Sequence, residues 1–231
     1  MTERFAIYYA PSATSPLWDR ASAWLGRDSS NGQFFDGPVG GIERNRLLNL
    51  TQSANRYGFH ATLKPPMALA PDQSPETLRQ ALADFAASLR PVPLGPLKIA
   101  SLDGFLALTA DGENHDLQDL AAHVVEQFEP FRAPLSVRDR AARASRGLTP
   151  RQEELLDGYG YPYVFDEFRF HMTLTDRLPE ADHEEIATAA RNWFGALLGQ
   201  DVVLDRLVLF HEPKPGASFR RLDDFKLGAA P

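Results

Sequence analysis

Two short runs set the hydropathy pattern of this chain: Phe59-His60-Ala61-Thr62-Leu63 and Phe170-His171-Met172-Thr173-Leu174. Apolar and polar positions alternate through both, the period of a strand with one face on a core and the other open. Phe59, Ala61 and Leu63 share one face, with Gly58, His60, Thr62 and Lys64 on the other. In the second run Phe170, Met172 and Leu174 oppose Arg169, His171 and Thr173. A strand buried on both faces would read as a continuous apolar run instead. The pattern predicts strands over about residues 57–64, ending at Pro65-Pro66, and over 164–175.

The remaining periodicity fills in around these strands. The run RFAIYYA at residues 4–10 predicts a buried strand. Ser15-Pro16 and Ser74-Pro75 each read as an N-cap followed by proline at the first helical position. Leu17, Ala21, Trp24 and Leu25 give the first helix its apolar face, and Leu78, Leu82, Phe85 and Leu89 give the second. A third helix is predicted from Asp116 to about Phe131, and Thr149-Pro150 with Gln152 resembles a capping box opening a fourth. Ile186, Ala190, Trp193 and Leu197 mark a helix after the second run. Asp103-Gly104 between two strand patterns predicts a tight hairpin, and strands are predicted over 202–210 and 219–227. Each half then reads strand, helix, strand, strand, with the two histidines 111 residues apart. The expected fold class is α+β: a duplicated bilobal fold of two antiparallel sheets with helices on their outer faces and a central cleft. The expected organisation is one bilobal domain over 1–231, with lobe one at about 45–112, lobe two at about 160–231 and an inserted helical segment at about 113–158.

Composition narrows the function classes. Hydrophobic residues make up 43% and charged residues 24% of 231 residues, the balance of a globular protein with a sizeable core. The absence of cysteine removes disulfides, thiol catalysis and thiolate metal sites from consideration. No run reaches the roughly 20 apolar residues needed to span a bilayer, and Met1-Thr2-Glu3-Arg4 lacks the basic start of a signal peptide. A cytoplasmic protein with no membrane partner is expected. The net charge of −7 repels polyphosphate chains and argues against long nucleic acid as the main partner. A small phosphate ester remains compatible, because local cations outweigh global charge within a Debye length of about 10 Å. Oligomeric state is not addressed by any of these features.

The two runs also carry the chemistry. Histidine is the side chain best suited to proton transfer near neutral pH, and a threonine two residues on shares its strand face. Six histidines and ten threonines placed at random in this length would produce only about 0.26 His-x-Thr pairs. The chain has two, each preceded by Phe and followed by Leu. His60, Thr62, His171 and Thr173 are therefore the candidate catalytic residues. Tyr57, Lys64 and Arg169 are candidate substrate-binding residues, with a solvated sheet-edge cation as the competing reading for the last two. The arginine-dense stretch Arg138, Arg140, Arg143, Arg146 and Arg151 reads either as a basic flap over an anionic substrate or as cations paired with Asp and Glu elsewhere. Tyr159, Tyr161 and Tyr163 read either as a stacking surface or as loop packing.

The paired tetrads His60-Ala61-Thr62-Leu63 and His171-Met172-Thr173-Leu174 resemble those of the two-histidine (2H) phosphoesterase superfamily. The FAIYYAP opening, the stretch Arg56 to Pro66 and the FRFHMTLT run are similar to its branch associated with phosphonate metabolism. The resemblance implies a metal-independent, cofactor-free phosphoesterase that opens a small cyclic phosphodiester. One imidazole would activate water, the other would protonate the leaving oxygen, and the threonine hydroxyls would bind the non-bridging oxygens. With imidazoles at their ordinary pKa of about 6.5, activity would peak near neutrality. The rival readings are a zinc hydrolase, which would need a third protein ligand, and a nucleotide or phospho-ligand binding protein without turnover.

Overall fold

A computed structural model of the chain describes residues 3–145 and 147–228. Strand β1 (Arg4–Tyr9) leads to helices α1 (Pro16–Leu25), α2 (Arg44–Asn49) and α3 (Gln52–Tyr57), then strand β2 (Ala61–Met67). Helix α4 (Pro75–Ser88) precedes the hairpin of β3 (Val92–Leu102) and β4 (Phe105–Ala110). Helices α5 (His115–Gln127), α6 (Val137–Ala144) and α7 (Pro150–Tyr159) follow, then the two-residue strand β5 (Met172–Thr173). Helix α8 (Glu180–Phe194) and strands β6 (Asp201–Leu204), β7 (Arg206–Glu212) and β8 (Arg220–Lys226) complete the fold.

Local chemistry explains the punctuation. The Ser15 side chain accepts from the Trp18 amide with Pro16 at the helix start, and Gly26 closes α1 in the left-handed region. Ser74 with Thr77, and Thr149 with Gln152, form reciprocal capping boxes at α4 and α7. Asp103 and Gly104 both take positive φ, and Leu102 faces Phe105 across the turn, as a two-residue hairpin requires.

The strands form one eight-stranded sheet in the order β6-β3-β4-β5-β2-β1-β7-β8, with every pair antiparallel. The two sheets expected from the duplicated pattern are thus joined. The join is β2 to β5, where a single register pair, Ala61 opposite Met172, links four strands on either side. One continuous core lies against this sheet, led by Trp18, Trp24, Tyr8, Phe59 and Phe210.

Both motif strands differ in extent from the alternation. β2 begins at Ala61, because residues 52–57 are helical and Gly58 turns the chain at φ 81°. It also continues through Pro65-Pro66. Beyond Ala61 one edge of β2 has no partner strand among the described residues, and such an edge tolerates a missing N–H. β5 shrinks to two residues because Phe165–Glu167 forms a 3-10 turn, with Phe165 at φ 52°.

A bulge in β2 changes the fate of Lys64. Thr62 pairs with Tyr8 and Lys64 with Ile7, so one residue on β1 spans two on β2. Tyr8 and Ile7 are consecutive and point to opposite faces, and their partners do the same. Lys64 therefore turns away from Thr62 toward α5. There it is fully buried, and its Nζ donates to the Val125 carbonyl at 2.8 Å and to Glu129 at 2.6 Å. The expected substrate contact of Lys64 is overturned: its charge is spent inside the protein. Burial lowers its pKa, and Glu129 opposes that fall. Replacing Lys64 with Met should lower stability by about 1–3 kcal/mol, since Glu129 loses a partner but keeps Arg132. Thermal melting of the parent and the variant checks this.

Candidate active site

The one register pair between β2 and β5 is Ala61–Met172; continued by one residue in each direction, that antiparallel register sets His60 toward Thr173 and Thr62 toward His171. The two His-x-Thr units thus meet crosswise on one face of neighbouring strands. Diagonal neighbours in such a pair lie about 7–8 Å apart, somewhat closer at Cβ, within reach of each other's side chains. The charge of His171 is felt at His60, where it helps to lower the pKa.

The two rings are oriented by the same device. Nδ1 of His60 bonds the Gly58 carbonyl at 2.8 Å, and Nδ1 of His171 bonds the Arg169 carbonyl at 2.8 Å. A carbonyl only accepts, so in the neutral ring the proton sits on Nδ1 and Nε2 is left as a base. Thr62 Oγ1 lies 3.2 Å from His60 Nε2 and donates to it. The His60 ring also stacks on Tyr8, with centroids 3.7 Å apart and planes 18° from parallel. Gly58 is required for this turn. At φ 81° a Cβ there would stand 2.6 Å from Ser29 Oγ.

Burial sets the protonation of the pair. It pushes His60 down to about 4, partly opposed by the Gly58 hydrogen bond. It lowers His171 too, opposed by the Arg169 carbonyl. A group with a depressed imidazole pKa is neutral above that value, so both rings are neutral at pH 7 in the free protein. The ordinary value near 6.5, on which a neutral optimum was expected, does not hold inside this site. The neighbouring Tyr8 phenol is pushed well up by burial and stays protonated.

Residues that the alternation does not flag hold the two units together. The Asp176 carboxylate, just past the second motif, accepts from the Ser53 amide at 3.0 Å and the Ala54 amide at 3.3 Å. It thereby caps α3, the helix that delivers Gly58 and His60. Thr175 accepts from the Leu106 amide at 2.9 Å, and Trp24 donates to the Leu174 carbonyl at 3.0 Å. Glu212 is fully buried and pairs with both Arg4 and Arg56, the latter one residue before Tyr57. Those partners lie on other elements, so no local spacing could have announced them.

The other expected contacts are distributed as follows. Tyr57 is half-buried, stacks on Phe219 at 4.9 Å and stands 6.3 Å from the His60 ring. Arg169 is exposed, with no side-chain hydrogen bond or ion pair among the described residues. Of the arginine-dense stretch, Arg140 pairs with Asp157, Arg151 pairs with Asp166 and Glu154, and Arg138 is exposed. Arg146 lies outside the described residues. Tyr159 packs edge-on against Phe165, and Tyr161 against Tyr163. Among the described residues no three His, Cys, Asp or Glu side chains gather as a metal-binding group, and no helix is long and apolar enough to cross a membrane.

The Glu212 clamp makes a stability prediction. Its pKa is lowered: burial raises it, but Arg4 and Arg56 outweigh that. A depressed carboxyl contributes stability above its unfolded value of about 4.3, and that contribution is lost as pH falls through the folded value. Glu212→Gln should cost about 2–3 kcal/mol at pH 7, somewhat under the usual cost of breaking a buried pair because both arginines reach solvent. Melting curves from pH 3 to 7 should show parent and variant converging below pH of about 4.

The family model described as "Protein of unknown function (DUF1045)" matches residues 62–220 of this chain. A curated protein of Janthinobacterium sp. (strain Marseille), named ribose 1,5-bisphosphate phosphokinase PhnN, is 38% identical over 221 residues, covering 94% of this chain and 49% of that protein. One of the same name from Laribacter hongkongensis (strain HLHK9) is 36% identical over 227 residues, covering 94% and 50%. The chain spans about half the length of these curated relatives. Among solved structures, E. coli LigT complexed with NADP+ aligns over 98% of both chains at 14% identity and a TM-score of 0.43. TT0787 of Thermus thermophilus aligns over 97% of this chain and 98% of its own, at 13% identity and a TM-score of 0.41. At such identities and scores these two likenesses bear on neither substrate nor mechanism.

Proposed function

The chain belongs to the family described as proteins of unknown function, DUF1045, and we propose that it is a metal-independent phosphoesterase that opens a small cyclic phosphodiester between His60 and His171. The observation that carries this is the crosswise meeting of two His-x-Thr units on one sheet face, each imidazole tied by Nδ1 to a carbonyl two residues back. The resemblance of both tetrads to the 2H phosphoesterases supports the same reading. The curated relatives are named for ribose 1,5-bisphosphate, which favours a ribosyl cyclic phosphate and a place in phosphonate metabolism.

In this mechanism the more strongly depressed ring, His60, is the base. Its Nε2 takes a proton from water as the water oxygen attacks phosphorus. His171, protonated at Nε2, gives that proton to the ester oxygen as the P–O bond breaks, leaving a ring-opened phosphomonoester. On substrate binding the Thr62 hydroxyl turns from His60 Nε2 to a non-bridging oxygen, freeing that nitrogen for the water, and Thr173 donates there too as charge builds. Arg169, exposed beside His171, and Tyr57, beside His60, would hold the rest of the substrate.

The pH profile tests the pair. His60 must be neutral and His171 charged, and both values are lowered. The free-enzyme window therefore lies on the acid side of 6.5, and kcat/KM should peak there. Bound anion raises an imidazolium pKa, so kcat should peak at higher pH than kcat/KM. Turnover of 2′,3′-cyclic nucleotides and ribose 1,2-cyclic phosphate with EDTA present reads both profiles. Each His→Ala change should cost about 10²–10⁴-fold in kcat. A p-nitrophenyl ester, which needs no proton on its leaving group, should rescue His171→Ala and not His60→Ala. Activity abolished by chelator and restored by zinc would make this a metal hydrolase, and ligand recovered intact after long incubation would make it a binding protein.

A further inference from the structure

We infer that Arg143, reaching in from α6, forms with Arg4 and Arg56 a second anion subsite beside the histidine pair, which takes a phosphomonoester carried elsewhere on the same substrate. The inference deepens the cyclic phosphodiesterase reading and rests on it for the identity of that substrate.

Arg143 is the exception in its segment. Arg140 and Arg151 have carboxylate partners at the surface. Arg143 turns inward, and its polar contacts are backbone carbonyls alone: Nη1 donates to Gly160 and Nη2 to Pro66, the latter at 3.2 Å. No carboxylate pairs with it among the described residues. Burial lowers its pKa, opposed by Tyr161 and by Asp139 one turn back on α6, a carboxylate with which it makes no ion pair among the described residues. Arg143 is half-buried; a charge partly taken from water is ordinarily paired, and a guanidinium has five donors, of which two are used here among the described residues.

Its surroundings point to the missing partner. Pro66 lies four residues past Thr62 on β2. Tyr161, Arg4, Asp139 and Tyr57 all fall within electrostatic reach of Arg143, and Asp139 is already engaged by Ser136 at the start of α6. Arg4 and Arg56 share the single carboxylate of Glu212, which leaves that trio with one uncompensated positive charge. Arg143 adds a second. Tyr57 and Tyr8 connect this cationic cluster to the His60 ring. A cyclic phosphodiester carries one negative charge and belongs between the histidines. A phosphomonoester carries close to two at pH 7, the charge that matches the cluster, and its planar oxygen pairs suit a guanidinium fork. Helix α6 itself buries no residue, so the Arg143 contacts and the Arg140–Asp157 pair are what hold it down. A ligand phosphate would complete that latch.

Calorimetry with D-ribose 5-phosphate against D-ribose tests the subsite in a His60→Ala/His171→Ala background, where no phosphate can be held by the imidazoles. The double variant should bind the sugar phosphate and discriminate against the sugar by about 100-fold or more. Adding Arg143→Gln should weaken sugar phosphate binding about 10–100-fold, and Arg143→Lys, which keeps the charge without the fork, should recover part of it. A merely structural arginine would leave the discrimination between phosphate and sugar unmoved. Equal affinity before and after the Arg143→Gln change, or no binding of ribose 5-phosphate to the double variant, overturns the inference. Loss of cyclic ester turnover in the parent protein would sink the catalytic reading alone, because the binding measurement does not depend on it.

Discussion

One backbone pairing organises everything on the working face of this protein. Ala61 opposite Met172 is the sole register pair joining β2 to β5, and these are the strands that carry the histidines. Because strand pairing fixes both spacing and face, that contact alone dictates that His60 sees Thr173 and His171 sees Thr62. A slip of one residue would send one histidine to the opposite face of the sheet. So short a junction cannot hold its own register, and the surrounding structure holds it instead. β5 is gripped from its other side by β4, through Ala107–Thr173 and Leu108–Met172. β2 is gripped by β1 over the length of the strand.

Further restraints come from outside the sheet. Asp176 follows the second motif immediately and caps the helix that precedes the first. A charged cap thereby ties the second unit to the helix before the first, in addition to the strand pair. Glu212 fixes Arg56, and so the turn at Tyr57 and Gly58, from β7. The imidazoles themselves are tied to their own backbones at Gly58 and Arg169. Each restraint is short and polar and ends on the main chain or on an element of the core, the arrangement that keeps reacting groups preorganised.

The parts legible in the sequence were those set by neighbours along the chain. Alternation around His60 and His171 announced the shared faces of His and Thr. Serine and threonine caps with proline announced α1, α4 and α7, and Asp103-Gly104 announced the hairpin. What escaped depended on distant pairing. The bulge that turns Lys64 inward arises from its register with β1, which no window around Lys64 contains. The merging of two expected sheets into one depends on a single cross-strand pair. Pro65-Pro66 read as a stop because proline breaks a ladder, yet one of them meets the unpartnered edge and the other falls in the irregular register between Lys64 and Met67, where β1 skips a ladder bond. Asp176 and Glu212 take their meaning from residues 122 to 208 positions away, and Arg143 from Gly160 and from Pro66, 77 positions back.

The same burial that orders the site also shapes its acid–base chemistry. Stacked on Tyr8 and pressed by its twin, His60 favours the neutral form, and His171 follows to a lesser degree. An empty site with two neutral rings holds a base but lacks an acid. An arriving phosphate anion changes this balance, because negative charge between the rings favours an imidazolium. Substrate and proton therefore bind cooperatively, each stabilising the other in the same small space. On the proposed mechanism, the depressed pKa values would keep the base free until the anion arrives, and the anion would then favour the acid. In a protein whose net charge is −7, such coupling would favour an anionic ligand over a neutral one at the two imidazoles, as the proposed reading requires.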